Sequence, residues 1–294
     1  MHHWQKITLL GVGLLGGSLG QVIRQRRLAS RVVGYVRRQA GVVECERLGA
    51  VDQAVLDVAS AVRDADLIIL CTPIAQMRGL AEEMLPALKP GALVSDVGSV
   101  KGSVVQELEP LFASAGACFI GSHPMAGAEK MGVSAASPDL FVKAICVLTP
   151  TPSTPSAMAD RLEDFWRAVG AVPVRLTPDA HDDLVSRSSH LPHVVAAELS
   201  NYVLSPVHPK EQAMLCANGF RDTTRIASGS PEMWRDICMA NRKNLARVLG
   251  VFIEDLQEFQ LALEKEDVKA VAEFFEKAKQ RRDQWCAAGA SSPE

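Results

Sequence analysis

Long apolar runs, closely paired cysteines and a strong net charge are all missing from this sequence of 294 residues. No apolar stretch approaches the roughly 20 residues that a membrane-spanning helix needs, so we expect no membrane partner. The N-terminal MHHWQK runs directly into a predicted strand, without the apolar region and cleavage site of an export signal. We therefore expect a cytoplasmic protein.

The seven cysteines are scattered along the chain, and none forms a C-x-x-C pair. This spacing indicates neither a disulfide framework nor a structural zinc site, and it is typical of a reducing compartment. The formal net charge of -3 gives no electrostatic reason to expect nucleic acid as a partner. We predict no metal ion and no nucleic acid.

Short apolar segments alternate with amphipathic segments through the first half of the chain. This alternation is typical of parallel strands joined by crossover helices, so we predict an α/β fold with a Rossmann-type doubly wound, mostly parallel sheet. The predicted strands are KITLLGV, SRVVGYV, ADLIILCTP, GALVSDVGS, ACFIGSHP, AICVLTP and AVPVRL.

The pattern changes near Thr177, because from Pro178 onward we find helical periodicity and no convincing strand. We predict a dinucleotide-binding domain over residues 1–177 and an all-α domain over residues 178–294. An apolar stripe at helical spacing must be buried within the chain or in a homodimer interface, and the sequence leaves both possibilities open. The stripe consists of Leu245, Leu249, Phe252, Ile253 and Leu256.

The segment GVGLLG follows the first predicted strand and opens a helix. In a dinucleotide fold Gly11 permits the tight turn, Gly13 lets the backbone approach a pyrophosphate, and Gly16 allows close packing of the helix. The N–H groups at the start of that helix, which include those of Leu14 and Leu15, would face the phosphates. We predict a dinucleotide site here.

The end of the second predicted strand reads VVGYVRR. An NAD-binding fold usually places an acidic residue there for the ribose hydroxyls, but this chain has Val36. Arg37 and Arg38 follow, and guanidinium groups bind phosphate in a bidentate manner. We therefore predict NADP as the preferred cofactor, with NAD possible; the alternative is that both arginines are solvated surface groups.

Further stretches are more specific than a dinucleotide motif, and together they resemble the prephenate and arogenate dehydrogenase family of tyrosine biosynthesis. The family catalyses oxidative decarboxylation: the ring carbon that bears the hydroxyl gives hydride to the nicotinamide, and the ring loses CO2. The resemblance implies the same reaction here, and we expect a homodimer formed through the helical domain. The stretches are SDVGSVKG, IGSHPMAGAEKMG, SSHLPHVVA and GFRDTTRIASGSPEMW.

The resemblance assigns catalytic roles to His123 and Ser99. A neutral imidazole at His123 can accept the proton of the ring hydroxyl. Ser99 stands before a predicted helix, so it either caps that helix or contacts the nicotinamide or the hydroxyl. Thr72 and Pro73, after the strand ADLIILCTP, are assigned to the cofactor. Lys101 is left as a solvated residue or one near the site.

Substrate recognition is assigned chiefly to Arg225, whose guanidinium would hold the ring carboxylate. A surface salt bridge is the alternative role for Arg225, and burial in the core is the alternative for Trp234. His190 and His193 have a spacing that could suit a metal, but no third ligand accompanies them. The other residues assigned to substrate are His193, Ser189, His190, Asp222, Trp234 and Glu129.

The sequence departs from the family pattern at CANGF, where Asn218 replaces an expected glycine, so the choice between prephenate and arogenate stays open. Two other functions also remain. A β-hydroxyacid or imine reductase would need a catalytic lysine in the helical domain, and no such motif stands out. A non-catalytic NADP-sensing protein would have no need for a proton acceptor together with a carboxylate clamp.

Overall fold

The computed structural model describes residues 3–127 and 131–290. Its internal contacts divide the chain into two compact units, Met1–Arg242 and Lys243–Glu294. Within the described residues, no helix has the length and apolar character required to cross a membrane.

The first unit is built on one eight-stranded sheet with the order β3-β2-β1-β4-β5-β6-β7-β8. All neighbouring strands are parallel except β6 and β7, which are antiparallel. The predicted Rossmann-type, mostly parallel fold is therefore confirmed. The strands are β1 (Trp4–Leu10), β2 (Ala29–Tyr35), β3 (Gln53–Val55), β4 (Leu67–Leu70), β5 (Leu93–Asp96), β6 (Cys118–Pro124), β7 (Ile145–Thr149) and β8 (Val172–Arg175).

Helices connect the strands, and every described secondary-structure element after Arg175 is a helix. The helices between the strands are α1 (Leu14–Gln25), α2 (Gln39–Arg47), α3 (Val58–Val62), α4 (Ile74–Met84), α5 (Gly102–Ser114) and α6 (Ser156–Val169). Those that follow the sheet are α7 (Pro178–Val185), α8 (Leu191–Val203), α9 (Lys210–Met214), α10 (Asn218–Thr224), α11 (Pro231–Ala240), α12 (Arg242–Glu264) and α13 (Val268–Ala290).

The sheet is buried on both faces, which explains why its central strands read as unbroken apolar runs. In β4, Leu67 and Ile69 belong to one hydrophobic cluster, whereas Ile68 and Leu70 belong to the cluster on the opposite face. This division follows from the two-residue period of a strand. The first cluster includes residues of α1 and α6, and the second includes residues of α4 and α5.

The strand order reverses direction at β1, which lies between β2 and β4. Open α/β folds bind ligands at the carboxyl ends of the strands beside such a switch point. The antiparallel strand β7 extends β6 as far as Pro124, which pairs with Cys146. His123 therefore lies within the last residues of β6.

A π-helical turn over Ser186–His190 joins α7 to α8. Pro192 is near the start of α8, and the helix is continuous with the turn before it. Since proline lacks an N–H and its ring crowds the carbonyl four residues earlier, a wider turn accommodates it without breaking the helix.

In the second unit, α12 and α13 contact each other through aromatic side chains. Phe259 lies 4.5 Å from Phe274 and 5.9 Å from Phe275, measured between ring centroids. The predicted apolar stripe is only partly covered, because Ile253 and Leu256 are exposed.

Candidate active site

The glycine turn after β1 has the geometry of a dinucleotide-binding turn. Gly11 has a φ of +99°, which favours glycine. A Cβ on Gly16 would lie 2.0 Å from the Gly11 carbonyl oxygen, so only glycine permits this approach of helix and strand. A Cβ on Gly13 would meet nothing within 4 Å, which leaves open space before the first turn of α1.

The start of α1 suits an anion because its first turn, which includes Leu14 and Leu15, contains no acidic residue. Thr72, two residues after the end of β4, lies against Gly11, and its Oγ1 is buried without a hydrogen-bond partner among the described residues. Pro73 precedes α4 beside it. An orphaned hydroxyl next to an open glycine turn fits a bound dinucleotide, which could supply the missing partner.

The residues after β2 differ in exposure. Val36 is buried and belongs to a hydrophobic cluster, whereas Arg37 and Arg38 are exposed. Neither arginine side chain makes a hydrogen bond or ion pair with another described residue. The site thus has two exposed cations and no acidic group at the position where NAD-binding folds usually carry one.

A chain of hydrogen bonds leads away from His123 into the protein. The Nδ1 atom of His123 lies 2.8 Å from Nε2 of His181, and Nδ1 of His181 lies 2.8 Å from Oδ1 of Asp182. His181 is completely buried, and only 8% of His123 is exposed. Asp182 and His181 lie on α7, so the helix after the sheet holds the histidine of β6.

Asp182 also caps α5. Its Oδ1 accepts the backbone N–H of Lys101 at 2.7 Å, and its Oδ2 accepts that of Gly102 at 2.8 Å. Of the two alternative roles for Ser99, the helix cap is therefore wrong, because α5 begins at Gly102 and a carboxylate distant in sequence takes the cap. Ser99 remains half-buried in the loop between β5 and α5, and its catalytic role stays a prediction.

Lys101 is completely buried, so the alternative that it is solvated is wrong. Its Nζ forms an ion pair with Asp96 and donates to the Ser122 carbonyl at 2.9 Å. Asp96 also accepts the backbone N–H groups of Gly98, at 2.7 Å, and Ser122, at 3.1 Å. Because breaking a buried pair is costly, this network holds the ends of β5 and β6 firmly in place.

Two more histidines surround Trp234. The His193 ring stacks on Trp234 at 3.7 Å between centroids, and the His190 ring meets it edge to face at 6.1 Å. Asn241 Nδ2 lies 3.2 Å from Nδ1 of His190 and donates to the backbone carbonyl of Asp182 at 2.8 Å. Nε2 of His190 is buried, and no side chain of the described residues forms a hydrogen bond with it.

Two of the predicted substrate residues, Arg225 and Asp222, lie on an exposed surface rather than among the buried histidines. Arg225 is exposed, begins a short 3₁₀ turn that packs against α8, and lines an open depression with Phe220 and Arg221. Asp222 is exposed on α10. Ser189 is half-buried, and its carbonyl accepts from Nδ1 of His193 at 2.9 Å.

Glu129, which was also assigned to substrate, lies outside the described residues. Among those residues, no group of three or more His, Cys, Asp or Glu side chains is arranged to hold a metal ion.

The electrostatics of the site favour neutral imidazoles. Burial lowers the pKa of His123 well below its ordinary value of 6.5, and charge repulsion within the cluster formed with His181, Lys101 and His190 lowers it further. Burial also lowers the pKa of His190 to about 4, and it lowers the pKa of His193. His123 is thus a proton acceptor at neutral pH.

Sequence reasoning missed His181, Asp182 and Asn241. The only local signal was a histidine followed by acidic residues in the run PDAHDDLV, directly after the predicted domain boundary. Such a run is usually a solvated helix start, and only tertiary packing distinguishes the buried Asp182 from its neighbours.

Two family models match consecutive parts of the chain. They are described as "Prephenate dehydrogenase, nucleotide-binding domain" at residues 19–175 and "Prephenate dehydrogenase, dimerization domain" at residues 177–277. The prephenate dehydrogenase of Bacillus subtilis (strain 168) is 34% identical over 283 residues, which cover 94% of this chain and 75% of that protein.

Two solved structures are similar over nearly the whole chain. Prephenate dehydrogenase from Aquifex aeolicus in complex with hydroxyphenyl propionate and NAD+ has a TM-score of 0.89 and 30% identity, covering 95% of this chain and 98% of that one. Arogenate dehydrogenase from Synechocystis has a TM-score of 0.82 and 30% identity, covering 96% of this chain and 100% of that one.

Proposed function

We propose that this chain, which belongs to the prephenate dehydrogenase family, catalyses the NAD(P)-dependent oxidative decarboxylation of prephenate or arogenate. The observation that carries this proposal is a buried, neutral His123 at the same carboxyl edge of the sheet as the glycine turn. A proton acceptor and a dinucleotide turn at one edge are what hydride removal from an alcohol carbon requires. The products would be 4-hydroxyphenylpyruvate or tyrosine.

The nicotinamide, when bound, would supply the acceptor for the hydride. Gly11, Gly13, Leu14, Leu15, Gly16, Thr72 and Pro73 would hold the dinucleotide. His123 would accept the hydroxyl proton through Nε2 as the ring carbon becomes a carbonyl. When the carboxylate leaves as CO2, its bonding electron pair makes the ring aromatic, and His123 can return the proton to the phenolic oxygen. Proton uptake and release at His123 therefore balance within one turnover.

The substrate would lie between His123 and the substrate-binding residues that follow the sheet. Arg225 would hold the ring carboxylate, with Asp222 and Glu129 near it. His190, His193, Ser189 and Trp234 would line the pocket, and Ser99 would contact the nicotinamide or the hydroxyl. In this proposal residues 1–177 bind the dinucleotide, and residues 178–294 complete the substrate pocket. The ligand of the Aquifex aeolicus protein, hydroxyphenyl propionate, is a phenol with a carboxylate side chain, which supports a phenolic product.

A steady-state assay with both substrates and both cofactors tests the proposal. We expect absorbance of the reduced nicotinamide near about 340 nm with prephenate, arogenate or both. Absence of any reduced cofactor with all four combinations would leave only a nucleotide-binding role.

The pH dependence of kcat/KM should reveal the lowered pKa of His123. Only neutral His123 accepts a proton, so activity is present above its pKa and is lost as the pH falls through it. Because burial lowers that pKa well below 6.5, kcat/KM should be insensitive to His123 between about pH 6.5 and 8 and should fall only in more acidic solution. An acid limb centred at or above about pH 6.5 would contradict a buried neutral base.

The cofactor preference should depend on Arg37 and Arg38. We propose that they bind the 2′-phosphate of NADP, so changing both to alanine should raise the KM for NADP by about tenfold or more. The KM for NAD should stay the same, and Arg31→Ala, at an exposed arginine of β2, is the matched control. A wild-type protein that already prefers NAD would show that these arginines are only surface charge.

We also propose a homodimer formed through the helical part. The exposed apolar residues Ile253, Leu256, Phe275 and Trp285 of the second unit support it, as does the family model named for dimerization. Light scattering at micromolar concentration should give twice the chain mass of 31.7 kDa. A monomer under those conditions would refute the dimer.

A further inference from the structure

We propose that His181, held by Asp182, is a positioning residue that fixes His123 in the one tautomer able to accept a proton through Nε2. The proposal rests on the proposed function, in which His123 is the base. It concerns two residues of α7 that touch neither the glycine turn nor the reacting atoms.

The positions of the protons follow from Asp182, the carboxylate at the end of this series of hydrogen bonds. Asp182 receives the backbone N–H groups of Lys101 and Gly102, so both of its oxygens already act as acceptors. An ionised carboxylate has no proton to donate, so the 2.8 Å contact with His181 requires the proton to be on His181 Nδ1.

A neutral imidazole has one N–H group, so Nε2 of His181 then carries a lone pair. That atom lies 2.8 Å from Nδ1 of His123. The contact is a hydrogen bond only if His123 donates from Nδ1. The Nε2 atom of His123 is consequently unprotonated, which is the form that can take the hydroxyl proton.

Packing holds the His123 and His181 rings in this arrangement. His181 is completely buried, and the two imidazole rings meet at 69° with their centroids 5.1 Å apart. The capping bonds fix Asp182 to the start of α5, and Asn241 donates to the Asp182 carbonyl. Contacts to the side chain and to the backbone of Asp182 therefore hold the residue whose carboxylate orients His181.

The same arrangement supports the charged form of the base. After His123 accepts a proton, its Nδ1 still donates to His181, so the new cation keeps a charge-assisted hydrogen bond in a buried site. In Ser-His-Asp triads an aspartate fixes the tautomer of the catalytic histidine directly. Here one imidazole stands between the carboxylate and the base, and it transmits the orientation because it has both a donor and an acceptor.

Two substitutions distinguish the role of His181 as a hydrogen-bond acceptor from its role in filling space. His181→Leu fills the site without an acceptor, whereas His181→Gln keeps a side-chain carbonyl that can accept from His123. We expect His181→Leu to lower kcat by about 10²–10³-fold with KM within about twofold, because ground-state binding is untouched. His181→Gln should recover at least about tenfold of that loss. His208→Leu, in a histidine of the loop before α9, should leave kcat unchanged.

Nitrogen NMR of the protein labelled with ¹⁵N-histidine provides a readout independent of turnover. In the substrate-free wild type, His123 should be protonated at Nδ1 and bare at Nε2, and in His181→Leu the Nε2-protonated form should appear. A wild-type His123 protonated at Nε2 would overturn the proposal, as would an unchanged kcat in His181→Leu. If the wild type turns over neither substrate, the proposed function fails, and the NMR result still decides whether His181 sets the tautomer.

Discussion

The variant His123→Asn should lose nearly all turnover while it still binds substrate and cofactor. An asparagine amide cannot accept a proton at neutral pH, so hydride removal would have to occur from an unassisted hydroxyl. General-base catalysis contributes about 10²–10⁴-fold, and we expect a fall in kcat of about 10³-fold. The measurement is steady-state kinetics together with the dissociation constant of the substrate.

The fold should survive this change, because the asparagine amide nitrogen can replace Nδ1 as the donor to His181. An unchanged melting temperature would show that the loss is chemical. His208→Asn is the matched control and should behave like the wild type. If His123→Asn retained its turnover number, the base would have to be another group.

The variant Arg225→Ala should act mainly on KM. Arg225 is proposed to hold the ring carboxylate with two charge-assisted hydrogen bonds, and a bond to a charged group is worth about 1.5–3 kcal/mol. We therefore expect KM to rise by about 10–100-fold, with a smaller effect on kcat. Steady-state kinetics with varied substrate at saturating cofactor measures it.

Arg225→Lys tests the geometry of the same contact. A lysine keeps the charge but not the planar fork, so it should restore only part of the affinity. Arg78→Ala, at an exposed arginine of α4 paired with Glu82, should leave KM unchanged. An unchanged KM in Arg225→Ala would reject the carboxylate clamp and leave a surface ion pair as the role of this residue.

The sequence predicted the sheet because the signals for a buried parallel strand are local. Runs such as LIIL in β4, followed by a polar turn and a helix, need no information from elsewhere in the chain. The glycine turn was predictable for the same reason, since Gly11 and Gly16 are required by the turn itself. The antiparallel direction of β7 was not, because its direction depends on its pairing with β6.

The supporting residues of the site could not be found in this way. Asp182 caps a helix that begins 80 positions earlier in the chain, and this contact takes the cap that was one of two alternative roles for Ser99. The burial of Lys101 depends on Asp96 and on the Ser122 carbonyl of the next strand. The motif indicated that His123 is a base, but only the three-dimensional contacts with α7 show which nitrogen is free.

The fate of the hydrogen on the hydroxyl-bearing ring carbon tests the central claim most directly. Prephenate and arogenate carrying deuterium at that carbon would be converted to completion, with reduced cofactor, CO2 and aromatic product measured together. The proposed reaction predicts one deuterium in the reduced nicotinamide and one CO2 for each molecule of aromatic product. Reduced cofactor formed without CO2 would indicate simple alcohol oxidation, as in a β-hydroxyacid dehydrogenase, and would contradict the account.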